Sequence, residues 1–251
     1  MTTPDVPHRF ELTVEVPGTP EQVWAAIATA NGISSWMLPT DLEERVGGEV
    51  RFHMGDTDSV GTVTGYDAPH RIAYEEPGWA ALAGHAGADV TPLATEFLVE
   101  AKAGGTCVVR VVSSAFGTGA EWEDEFWESM VDGWTPAFEI LRLVLQDFPG
   151  QAVTSLDAAT EVDRDQPPVL AAMRSSVFEQ GVEGEWIHDS NISSTLRLTA
   201  PVPGFLIVMA NPSGEATTWA AVQGHLFSPD AQAWVNSTRK AWQAWLEGLG
   251  A

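Results

Sequence analysis

The stretch EWEDEFWESMVDGWTPAFEILRLVLQ (121–146) constrains this chain more than any other. Trp127, Val131, Trp134, Phe138, Leu141 and Leu145 recur at steps of four and three, and Phe126, Met130, Ile140 and Val144 widen the stripe. That spacing makes one long amphipathic helix, acidic on one side, whose broad apolar face is suited to lying on a sheet. Pro136 cannot donate to the carbonyl of Asp132, so a kink is expected near Asp132–Gly133. A fold built around this helix needs an apolar sheet surface to receive it.

The preceding residues supply one. RFELTVEVPG (9–18) alternates apolar and polar side chains as a half-buried strand does. TPEQVWAAIAT (19–29) reads as a helix, with Thr19 as N-cap, Pro20 at the first position and Gln22 completing a capping box. NGISSWM (31–37) reads as a second helical turn after a break at Gly32. Strands are expected at 42–46, 49–54, 59–67 and 71–76, with Gly47–Gly48 as the turn between the first two. Residues 77–92 read as a long irregular loop. A hairpin follows, 94–102 and 106–114 around AGG, and Thr118 and Glu121 stand at capping-box spacing before the long helix.

The texture changes near residue 147. The acidic, turn-rich segment 147–168 reads as a connection, 167–181 as a helix, and 194–200, 204–211 and 217–227 as an antiparallel meander. A closing helix is expected over 228–250, capped by Ser228 with Pro229 at its first position. Two domains are therefore expected, 1–149 and 150–251. The second ends as the first does, with strands and then a tryptophan-bearing helix. It is either an abbreviated copy of the first or an unrelated α+β appendage.

Charge and motif content narrow the function classes. A net charge of −23 disfavours nucleic-acid and anionic-membrane partners, which need basic surface. No run approaches the length of a membrane span. MTTPDVPHRF shows no basic segment leading into an apolar one, so a cytoplasmic protein without a signal peptide is expected. Cys107, the single cysteine, lies within TCVVRVV and reads as a buried, inert thiol. No two of the six histidines stand at metal-ligand spacing, and no nucleophile elbow or phosphate loop is present, so no metal, cofactor or catalytic residue is nominated. His53 is expected at a rim or in solvent, opposite Phe52 and Met54. HDSN (188–191) reads as a turn. Arg110, among valines, is expected to pair with Glu96 or Glu100 or else to meet a ligand.

Strand, two short helices, antiparallel strands and one long helix describe an α+β fold in which a curved sheet grips its C-terminal helix. Such a sheet leaves space between its concave face and the helix. Phe52 and Met54 share one strand phase and Phe97 and Val99 another. Together with Trp36, Trp127, Met130 and Trp134 they are the expected lining of that space. Trp79, in the long loop, is expected at a lid or at the mouth.

The segments EVPGTPEQVWAAIATANGISSWM, LEERVGGEVRF, GTVTGYDAPHRIAYEE, TEFLVEAKAGGTCVVRV and the Gly133–Trp134 pair occur in the order and spacing of a known family. Over residues 8–146 the chain resembles the START-like helix-grip superfamily, also called SRPBCC, in the branch named after the activator of the heat-shock-protein-90 ATPase. The resemblance implies a deep, mainly apolar cavity for a small ligand; it implies no single reaction. The expected function is binding of an apolar or aromatic small molecule, such as a lipid, without catalysis, with the Gly133–Pro136 break giving the helix local freedom. The alternatives are a cyclase- or dehydratase-like enzyme on a polyketide or aromatic substrate, and a chaperone-linked interaction module. Homodimerisation is left open.

Overall fold

The computed structural model describes residues 5–55 and 57–250, the side chain of Asp132 excepted. The chain divides between Gly150 and Gln151 into two compact α+β units. In the first, β1 (Val6–Pro17), α1 (Pro20–Ile27) and α2 (Ala30–Ser34) precede β2 (Thr40–Leu42), β3 (Glu49–Met54), β4 (Thr57–Asp67) and β5 (Arg71–Glu76). Then come α3 (Trp79–Leu82), β6 (Leu93–Lys102), β7 (Thr106–Gly117) and α4 (Glu121–Asp147). The seven strands form one antiparallel sheet in the order β1-β7-β6-β5-β4-β3-β2. The first strand thus pairs with the last, and α4 packs beneath it.

Local chemistry sets these boundaries. Thr19 caps α1, and Gln22 returns the bond in a full capping box, as its sequence requires. The break expected at Gly32 instead falls at Ala28–Thr29, where Thr29 caps α2. Gly32 lies inside α2, where a Cβ would sit 1.9 Å from the Ala25 carbonyl oxygen, so the close approach of α2 to α1 requires glycine. The strand expected at 42–46 shrinks to Thr40–Leu42, since residues 43–48 turn back through Gly47 at φ +75°. Loop 77–92 holds a short helix, α3, and is pinned to the end of β7 by bonds between Thr91 and Phe116.

The start of α4 also differs from expectation. Thr118 and Glu121 form no capping box; Ala120 is the N-cap residue and makes no side-chain bond. The carboxylate of Glu123 takes that role from within the first turn, accepting from the Thr118 N–H and hydroxyl and from the Gly119 N–H, each at 2.9 Å. His8 of β1 sits 3.1 Å from the same carboxylate. Burial pushes this fully buried carboxyl upward, but the bonds from Thr118, Gly119 and His8 outweigh it and hold it below the ordinary 4.5. Beyond this start α4 runs unbroken across Pro136.

The second unit comprises β8 (Thr154–Val162), α5 (Gln166–Ser176), β9 (Glu183–Asp189), β10 (Ser193–Ala200), β11 (Gly204–Gly214), β12 (Thr217–Leu226) and α6 (Ala231–Glu247). Its sheet order is β8-β12-β11-β10-β9, so here too the first strand pairs antiparallel with the last. The segment expected as a connection therefore contributes an edge strand, its modest hydrophobicity suiting a place with one neighbour. Residues 188 and 189 end β9 rather than forming a turn. α6 begins at Ala231, with Asp230 as N-cap residue and the Ser228 hydroxyl accepting from the Asp230 N–H. Leu156, Leu196, Leu206, Val222, Trp242 and Leu246 anchor a continuous core. No helix among the described residues is long and apolar enough to cross a membrane.

Two predictions test this packing. Gly32→Ala should cost about 3 kcal/mol in denaturant unfolding, whereas Gly47→Ala, with open space around it, should cost about 1 kcal/mol through backbone strain alone. Glu123→Ala should cost about 3 kcal/mol near neutral pH, because it leaves buried donors unpaired. The contribution of Glu123 is fully present above pH 4.5 and is lost as the pH falls through its lowered value, so native and variant stabilities should converge in acid.

Candidate functional site

Between the sheet and α4 lies a cavity of about 440 Å³. Phe52 and Met54 of β3 form one side, Trp79, Leu82 and Ala83 of and beside α3 another, and α4 covers it with Phe126, Met130, Gly133, Trp134 and Ala137. Met37 and Leu38 after α2, and Leu93 of β6, complete the apolar walls. Met54 and Leu82 are among the few large apolar side chains exposed to solvent, which puts the mouth beside them. Phe52 tilts against Tyr74 at 5.4 Å between ring centroids, and Trp79 against Phe126 at 4.7 Å.

Five of the residues expected to line the space meet there: Phe52, Met54, Trp79, Met130 and Trp134. Trp36, Phe97, Val99 and Trp127 do not reach it. Trp36 is buried with its indole N–H donating to the Ala26 carbonyl at 2.9 Å, and its ring packs against Phe97, Trp134 and Phe138. It plugs one end of the groove. On β6 the cavity therefore reaches Leu93 and Thr95 and stops before Phe97 and Val99. Trp127 turns toward β1, stacks within 4° of parallel on His8, and lines a separate shallow groove with Pro7, Arg9 and Phe10. Trp79 is only 2% exposed rather than at the mouth; its indole N–H donates to the Thr91 carbonyl at 2.8 Å, fixing it as a wall.

Sequence reasoning missed the polar part of the cavity. Ser59 of β4, Tyr74 and Glu76 of β5, and Thr95 of β6 all face it. Glu76 is nine-tenths buried, and its hydrogen-bond donor among the described residues is the Ser59 hydroxyl. Burial pushes its carboxyl above the ordinary value, with the Ser59 bond acting the other way. Tyr74 is raised well above its ordinary value, by burial first and then by the nearby Glu76, against a bond with Thr95. Thr95 in turn shares a 3.1 Å bond with Ser113. Gly61 makes room: a Cβ there would press on the Glu76 side chain at 3.0 Å and on the Glu75 carbonyl at 2.7 Å. The signal was present in RIAYEE, because strand alternation puts Ile72, Tyr74 and Glu76 on one face and Glu75 on the other.

The remaining candidates lie elsewhere. His53 is on the solvent side of β3, between Asp58 at 2.9 Å and Asp41 at 3.1 Å, and the bonds to Asp58 and then Asp41 raise its value. Arg110 projects from the outer face of β7 toward Glu11, 3.4 Å away, rather than toward Glu96 or Glu100; Glu96 pairs with Arg71. Cys107 is buried, its thiol pushed up by that burial.

Glu76 carries a sign that can be checked. A carboxyl raised in the folded state favours folding in acid and loses that contribution as the pH rises through its folded value. Glu76→Gln should therefore be at least as thermostable as the native protein at pH 8, with the difference shrinking or reversing at pH 4. A native protein more stable than the variant across that whole range, by calorimetric melting, would refute the burial of an isolated acid.

Residues 17–146, a little over half of the chain, match the family described as Activator of Hsp90 ATPase homolog 1-like protein. No curated protein matches the sequence. Among solved structures, the di-domain ARO/CYC BexL from the BE-7585A biosynthetic pathway is similar over 97% of this chain and 98% of its own, at 12% identity and a TM-score of 0.45. DynU16, a protein in the dynemicin biosynthetic locus, is similar over 96% of each chain at 14% identity and a TM-score of 0.44. The Aha1 dimer from Colwellia psychrerythraea is similar over 54% of this chain and 97% of its own, at 14% identity and a TM-score of 0.42. Likenesses of this depth carry no information about chemistry.

Proposed function

The chain belongs to the family of Activator of Hsp90 ATPase homolog 1-like proteins, and from that premise we propose that its first unit binds an apolar or aromatic small molecule reversibly. One observation supports this reading above the others: the cavity between sheet and helix is open space, not side chain, over about 440 Å³. That volume falls within the range of small-molecule sites, and so does the lining, aromatic and aliphatic with a few polar groups gathered on one wall. A core this rich in aromatic residues ordinarily closes on itself, and a void is costly unless something occupies it. Here Trp134, backed by Trp36, is part of the wall, and the mouth lies at Met54 and Leu82.

A second reading has a specific observation behind it. An acid buried in an apolar cavity, with a tyrosine hydroxyl on the same strand face, is the kind of group that moves protons on a held substrate. On that reading the domain is a cyclase- or dehydratase-like enzyme and Glu76 is its acid–base residue. Binding remains the preferred reading because, among the described residues, Glu76 has no titratable partner in the lining besides Tyr74.

Ala137→Phe tests the binding reading. The added ring would occupy the cavity, so affinity for a neutral apolar probe such as Nile red should fall by about tenfold or more while melting temperature holds or rises. Unchanged probe affinity in a folded Ala137→Phe protein would show that the probe binds elsewhere. Turnover of an aromatic or polyketide panel that is abolished in Glu76→Gln would instead promote the catalytic reading.

A further inference from the structure

Glu76 is a nine-tenths buried carboxyl that faces a cavity whose lining, among the described residues, contains no lysine, arginine or histidine. A carboxylate can accept about four hydrogen bonds, and Ser59 supplies one. The unused acceptor capacity faces apolar space. Around it stand the rings of Phe52, Tyr74, Trp79, Phe126 and Trp134. Ring faces carry negative potential, and a cation near them is attracted while an anion is not. An ionised Glu76 and any ring face turned to the cavity would therefore favour the same sign of ligand charge.

Building on the reading of the first unit as a small-molecule binder, we propose that the ligand is a lipophilic amine, held by its apolar body against the aromatic walls and by its protonated nitrogen against Glu76. A neutral hydroxyl would donate one hydrogen bond to the carboxylate but would gain no ion-pair attraction and nothing from the ring faces. A ligand carboxylate would find no basic partner among the described lining residues, and a like charge wherever Glu76 is ionised. An ammonium satisfies the carboxylate and the rings together, and burial of the ligand's apolar body helps offset the loss of hydration.

The proposal also specifies proton traffic. Among the described residues the titratable groups in the lining are Glu76 and Tyr74; the described lining residues from α3, α4 and positions 37–38 are non-titratable. Burial favours the protonated Glu76 in the empty cavity, and an arriving ammonium favours the ionised form. Where the empty site holds the proton, binding must release it to solvent. Affinity for the amine should then rise with pH through the Glu76 value and flatten until the amine itself loses its proton.

The test is isothermal titration of the full-length protein with three probes that share one ring system: pyrenylmethylamine, pyrenylmethanol and pyrenecarboxylic acid. The amine should bind about tenfold or more tightly than the alcohol, and the acid more weakly than either. Repeating the amine titration in buffers of different ionisation enthalpy should reveal proton release. Glu76→Gln should bring the amine down to the affinity of the alcohol, whereas Glu75→Gln, exposed on the opposite face of the same strand, should retain the preference. Alcohol binding as tightly as amine in the native protein overturns this proposal and leaves the cavity reading intact. So does an amine preference that survives Glu76→Gln. If none of the three probes binds, the cavity reading falls and this one with it.

Discussion

The indole of Trp36 governs how the first unit uses its interior. Tied to the Ala26 carbonyl at the end of α1, it wedges between Phe97 on the sheet and Trp134 and Phe138 on α4. It thereby separates a filled half of the groove, where Phe138, Ile140, Leu141 and Val144 pack, from an open half beyond Trp134. The filled half holds helix and sheet together through dense apolar contact. The open half can then tolerate missing contacts without the helix falling away. Stability and vacancy lie along the same helix, one after the other.

The electrostatics divide as sharply. The chain carries a net charge of −23, and its outer faces bear carboxylates relieved by local pairs such as Arg71 with Glu96 and Lys102 with Glu15. Exposed pairs of this kind contribute little individually. Glu76 is different because, among the described residues, no cation stands beside it in the cavity lining. A buried acid without a basic partner is costly, and chains ordinarily pair it or replace it. Its presence, together with the small Gly61 that makes room for it, singles out this wall as the chemically distinctive one.

Much of the architecture was legible because periodicity reports it directly. The long helix, most strands of the first sheet and the closing helix follow from apolar spacing and turn residues. What escaped notice did so for physical reasons. The edge strand β8 is too polar to read as buried, and the cap of α4 comes from Glu123, which lies beyond the expected capping box. Phe97 and Val99 have the right phase for the cavity; alternation tells which face a residue takes, not how far along the strand Trp36 has already filled it. Glu76 was overlooked because a glutamate reads as solvated until its strand partners Ile72 and Tyr74 fix the inward phase.

Both units bring their first strand next to their last: β1 lies against β7, and β8 against β12. This has a consequence for synthesis. Val6–Pro17 must wait for Thr106–Gly117 before it gains its neighbour in the sheet, and the helix that covers the groove emerges later still. Pairings so distant along the chain are slow to form, because the intervening loop must close first. During translation the nascent first unit therefore holds an unpaired strand and an uncovered apolar sheet until residue 147 has left the ribosome. The tryptophans of α4 arrive as the last pieces, so the cavity comes into being in the same event that completes the domain.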